Sequence, residues 1–133
     1  MTKEKIYSLL ISLVFIPVAA IGQIIGSLIG DIYVYLQKYL FWLNNFEFVI
    51  NITPFIISGL AAAWFSAYLC KKIFIKLNCE INLIYTMIIP TALILIAVTG
   101  TFLVHFSKDF SMLFKLLLRD GVTLSFFYIF LKD

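Results

Sequence analysis

Four apolar runs, separated by short polar or charged stretches, divide the chain. The first covers Ile6–Gly30 and contains Pro17, which predicts a helix with a kink. The second starts at Pro54 and stops before Lys71, Lys72 and Lys76, with Thr53 placed to cap it and Pro54 in its first turn. The third is Ile81–Val104, around Pro90, and the fourth is Phe110–Leu131. At about 1.5 Å per residue the fourth run reaches roughly 33 Å, enough to cross a hydrocarbon core of about 30 Å. The pattern predicts an all-α integral membrane protein of four transmembrane helices, spanning about 6–30, 54–70, 81–104 and 110–131 of a single polytopic domain over 1–133. The first run is too long for the apolar region of a signal peptide, so it is read as a retained span.

Between the first two runs, Asp31–Ile52 carries Tyr33, Tyr35, Tyr39, Phe41, Trp42, Phe46 and Phe48. Tyr and Trp favour the membrane–water boundary, where ring and polar tip meet different solvents. The expectation is an aromatic interfacial helix begun by Asp31 and ended near Asn44 and Asn45. The alternative is that the first span continues past Gly30 as one long helix.

Composition supports the membrane class. Hydrophobic residues make up 63% of the chain and charged residues 13%, against about 45–50% and about 25% in soluble domains. The basic residues are nearly all Lys, and Ile and Phe are abundant, as an AT-rich bacterial gene would encode. The net charge of +3 is dispersed, without a basic run, which argues against nucleic-acid binding. In a four-span arrangement Lys3, Lys5, Lys71, Lys72, Lys76 and Lys132 fall on one side, and Lys38 and Lys108 on the other. The positive-inside rule then places both termini in the cytoplasm of a bacterial cell, with the chain in its cytoplasmic membrane.

Small residues recur at helical spacing. Gly22, Gly26 and Gly30 form a double GxxxG, and the second span carries Ser58, Ala62 and Ser66 beside Gly59 and Ala63. Such faces let helix backbones approach closely, which in lipid takes over the role of the hydrophobic effect. They serve contacts within one chain or between copies, and a homo-oligomer is the expectation. The fourth run differs, because Lys115, Arg119 and Asp120 lie inside it. Ionisable groups inside a span face the bundle interior or a water-filled cavity. The competing arrangement lays residues 108–119 flat on the membrane surface.

No sequence motif of catalysis is present, and no cofactor or metal is expected. His105 stands alone, and Cys70 and Cys79 have neither redox nor zinc spacing. The chain resembles, in size and composition only, immunity proteins against pore-forming bacteriocins and membrane subunits of phage-defence systems. The leading expectation is therefore a non-enzymatic membrane subunit. It would self-assemble through its small-residue faces and recruit a cytoplasmic partner at Lys71, Lys72 and Lys76. The alternative is a small channel or transporter with a cationic path along Lys115, Arg119 and Asp120.

Overall fold

The computed structural model describes residues 2–105 and 109–133, all of whose regular structure is helical. Helix α1 (Lys3–Ile11) passes through one 3-10 turn at Ser12–Val14 into α2 (Phe15–Gln37). The tightened turn lies just before Pro17, whose ring excludes the carbonyl four residues earlier and which has no N–H to offer it. A second 3-10 stretch, Phe41–Phe46, leads into α3 (Glu47–Lys76), followed by α4 (Leu83–His105) and α5 (Phe110–Lys132). The rod Lys3–Gln37, α3 and α4 are long and apolar enough to cross a membrane. Helix α5 has the length, but Lys115, Arg119 and Asp120 interrupt its apolar run.

Two sequence expectations change. The first helix does not stop at Gly30. It continues through Asp31 to Gln37, so Asp31 lies in mid-helix and begins no interfacial helix. Nothing at Gly30–Asp31 breaks helical geometry, and the chain turns only after Lys38. The second helix likewise begins at Glu47, not at Thr53, and carries Pro54 in its interior. Thr53 Oγ1 donates backwards to the Val49 carbonyl (2.6 Å) instead of capping. The carbonyl of residue 50, which Pro54 leaves without its usual N–H donor, sits near the start of the helix, where the interruption costs least.

Local chemistry ends the other helices. Beyond Lys76, Asn78 adopts a left-handed φ of 51°. Its N–H donates to the Ile75 carbonyl and that of Cys79 to Phe74, at 3.1 Å each, a Schellman closure in which Asn fills the position usually held by glycine. Asn82 caps α4 by accepting from the Tyr85 N–H (3.3 Å), and Asp109 caps α5 by accepting from the Met112 N–H (3.1 Å).

Helix α3 lies at the centre, with α2 antiparallel and α5 parallel to it, and α4 packs on α1 and α5. Gly22 and Gly26 of α2 lie against Ser58 and Ala62 of α3, and a Cβ on either glycine would come within 2.7 Å of a side chain there. Ser58 Oγ donates to the Gly22 carbonyl (2.6 Å), a hydrogen bond between helices that the close approach permits. One position on, Gly59 faces α5, with the Arg119 carbonyl 2.9 Å from where its Cβ would stand. Toward the termini, Ile11, Phe15, Ala63, Ala67, Phe74, Phe127 and Leu131 form the apolar core, with the Phe15 and Phe127 rings 5.2 Å apart. The start of α4 is tied to α1 by the Asn82 N–H donating to Ser8 Oγ (3.1 Å).

The small-residue face of α2 is therefore taken up inside the chain at Gly22 and Gly26, whereas Gly30 has open space around it. Gly26→Leu should overpack the α2–α3 contact and cost about 1–3 kcal/mol. Gly100, equally open, should accept Leu with no measurable change. Thermal unfolding in detergent compares the two, and equal midpoints would remove this account of the glycines.

Candidate functional site

Helices α2 and α5 both pack on α3 but not backbone to backbone on each other. That leaves a space above the Phe15–Phe127 contact, floored by α3. It is a cavity of about 510 Å³, half open to its surroundings. Helix α2 contributes Gln23, Ser27, Gly30, Tyr33, Val34 and Gln37; α3 contributes Asn51, Pro54, Phe55 and Ser58; α5 contributes Met112, Lys115, Leu116 and Arg119. This volume falls in the range of small-molecule sites.

The positions follow from helical spacing. Residues 23, 27, 30, 34 and 37 alternate steps of four and three, which keeps them on one face of α2. On α5, residues 112, 115, 116 and 119 share one face through spacings of three and four. Because Gly22 and Gly26 draw α2 onto α3, the neighbouring Gln23 and Ser27 are turned toward the gap rather than into the contact.

At the lower end Arg119 separates this cavity from a second one of about 240 Å³, which Asp120, Thr123, Gln23 and Ser58 line together with apolar groups of α2 and α4. Arg119 Nε and Nη2 both donate to the same oxygen, Asp120 Oδ1, at 3.3 and 3.2 Å. The pair is well buried, with 17% of the arginine and 9% of the aspartate side chain exposed. Asp120 Oδ2 is buried without a hydrogen-bond partner among the described residues. Beyond it, Phe15, Phe127 and Leu131 close the bundle. The polar space is thus a vestibule entered from the end at which Gln37, Asn51 and Met112 lie, and it is blind at the aromatic core.

Of the residues singled out in the sequence, Lys115, Arg119 and Asp120 come together on α5, the first two on the vestibule wall. Residues 110–119 form one continuous helix with 120–132, with Leu113 and Phe127 both buried; Lys108 lies outside the described residues. Ser58, Gly59, Ala62, Ala63 and Ser66 are all buried. Lys72 and Lys76 are exposed and Lys71 half-buried at the far end of α3. Gln37 and Asn51 carry no expectation from the sequence and Tyr33 only that of an interfacial ring, although the stripe Gln23, Ser27, Gly30, Gln37 is a usable signal on an otherwise apolar helix. Among the described residues no cluster of His, Cys, Asp or Glu has the geometry of a metal site.

Comparison with known proteins finds no match to any family model, curated protein or solved structure.

Asp120→Leu should strand the Arg119 guanidinium inside the bundle and cost about 3–5 kcal/mol, whereas Arg119→Leu with Asp120→Leu should recover most of it. A double-mutant cycle on unfolding midpoints measures the coupling, and simple additivity would mean that the pair does not interact.

Proposed function

We propose that this chain is a four-span protein of a bacterial cytoplasmic membrane, non-enzymatic, with both termini in the cytoplasm, and that it binds an anionic ligand in the vestibule. The observation that carries the reading is the pair of cations, Lys115 and Arg119, on the wall of a cavity whose other polar groups are uncharged amides and hydroxyls. Such a set recognises a carboxylate, phosphate or sulfonate through charge-assisted hydrogen bonds.

The membrane assignment of α5 rests on its packing. Alone, a helix with Arg119 and Asp120 near its middle would insert at a substantial cost. Here the two are paired, and α3 shields them at Gly59. The orientation rests on the excess of lysines at the end of the bundle that holds the termini, where Lys3 lies over Tyr7, Lys5 over Tyr85 and Lys72 over Tyr68, at 5.3–5.4 Å. Aromatic rings mark either interface, and the lysine excess favours the cytoplasmic one. The vestibule then opens on the opposite, outer side. Its blind end favours a receptor over a channel, because a permeant would have to part Phe15 from Phe127.

A second reading keeps the chain as a subunit with a cytoplasmic partner. It is favoured by Lys72 and Lys76, exposed together at the end of α3. With the small-residue faces of α2 and α3 buried against each other, self-assembly would use the outer side of α4, where Ile84, Ile96 and Leu103 are more than 70% exposed.

Benzoate or inorganic phosphate at millimolar concentration should raise the unfolding midpoint of the purified protein. Lys115→Gln should weaken that binding by roughly ten- to a hundredfold, the worth of one hydrogen bond to a charged group. Reconstituted liposomes should show no anion flux. An unchanged shift in Lys115→Gln, or steady flux through the wild type, counts against the receptor. For the second reading, reversing the charge of Lys71, Lys72 and Lys76 should reduce co-purification of a soluble partner, and unchanged recovery would dismiss it.

A further inference from the structure

We propose that the natural occupant of the vestibule is an acidic lipid, its phosphate or carboxylate on Lys115 and Arg119 and its tail leaving sideways between α2 and α5. This deepens the anion-binding reading and rests on it.

The charge balance of the walls is the first argument. Lys115 and Arg119 contribute +2 and Asp120 contributes −1, so one positive charge is left over. Lys115 is half-buried and forms no ion pair among the described residues. The guanidinium of Arg119 spends both of its observed hydrogen bonds on a single carboxylate oxygen, and Nη1 makes none among the described residues. A cation held in a low-dielectric surround is costly until an anion joins it. One monoanionic headgroup, a phosphodiester or a carboxylate, neutralises the site.

The second argument is the shape of the space. Its polar groups line the depth and the mouth, but Val34, Phe55 and Leu116 share the same cavity. Lower down, Leu93, Ile94 and Ala97 of α4 lie across α2 and α5, but no residue of α4 lines the vestibule, whose side between α2 and α5 is left uncovered. In a bilayer that side faces acyl chains. A free anion bound there would give up its hydration while one wall of its site stayed open to hydrocarbon. A lipid brings its charge on a tail already in that phase, and the tail closes the open side. Gln23 and Ser27 fit the same picture, as polar side chains left exposed at that gap among exposed Ile21, Ile24 and Leu28. Ester and phosphate oxygens would accept from them.

The test uses the full chain, delipidated and then offered equal amounts of phosphatidylglycerol and phosphatidylcholine with identical tails, and reads retained lipid by native mass spectrometry. The acidic lipid should be retained at least tenfold over the zwitterionic one. Lys115→Gln should bring that preference close to one, and Lys72→Gln with Lys76→Gln should leave it intact. Gly30→Trp supplies an arm that changes no charge: its Cβ would meet nothing within 4 Å, so the ring fills the cavity and should expel the lipid. Retention without headgroup preference overturns the proposal, as does a preference unaffected by both Lys115→Gln and Gly30→Trp. If the lipid preference is absent while benzoate and phosphate still stabilise the protein through Lys115, the anion site stands and the lipid does not. If neither binds, both readings fall.

Discussion

The close approach of α2 and α3 is the contact on which the rest of the bundle depends. Without a side chain at Gly22 or Gly26, the two backbones come near enough for Ser58 Oγ to reach the Gly22 carbonyl. In lipid, where apolar surface gains nothing by leaving one hydrocarbon for another, packing and hydrogen bonds of this kind supply the association energy. The same helix α3 then uses the adjacent residue, Gly59, to admit α5 on its other flank. Two neighbouring small positions on one helix thus set the angle between α2 and α5 and leave the gap between them.

That gap explains why a helix carrying Lys115, Arg119 and Asp120 belongs in the structure. The charges do not fall at random around α5. Asp120 turns toward α3 and α4 and is buried, Arg119 bridges back to it, and Lys115 stands one turn nearer the mouth. The ion pair adds little net stability in itself, since desolvation offsets much of its Coulomb energy. Its physical consequence is to hold one arginine at the floor of a polar space, with Lys115 on the same wall.

The two ends of the bundle differ in chemistry for a related reason. Toward the termini, Ala63 and Ala67 make room for Phe15 and Phe127, and large side chains interlock over small ones. Toward the other end, α3 offers Ser58, Pro54 and Asn51, α2 offers Gln23, Ser27 and Gln37, and the interior stays polar. The aromatic rings of Tyr35, Tyr39, Trp42 and Phe46 stand near that rim, where ring-to-ring contacts at 5.1 and 6.3 Å order the connection between α2 and α3.

Hydropathy and residue type determined the helical class, the approximate position of each helix, the closeness of a crossing at Gly22 and Gly26, and the anomaly of Lys115, Arg119 and Asp120. These are local properties: apolar runs, missing side chains and charges in the wrong solvent can each be read from a few neighbouring residues. The same local reading misplaced the start of α3 and ended α2 too early, because Thr53–Pro54 and Gly30–Asp31 look like boundaries when taken alone. Only the tertiary arrangement decided that the glycines pack against Ser58 and Ala62 of their own chain, that Gln37 and Asn51 share a cavity with Lys115, and that Phe15 and Phe127 close it. Those outcomes depend on which helix lies beside which, and residues 15 and 127 carry no mark in the sequence that they will meet.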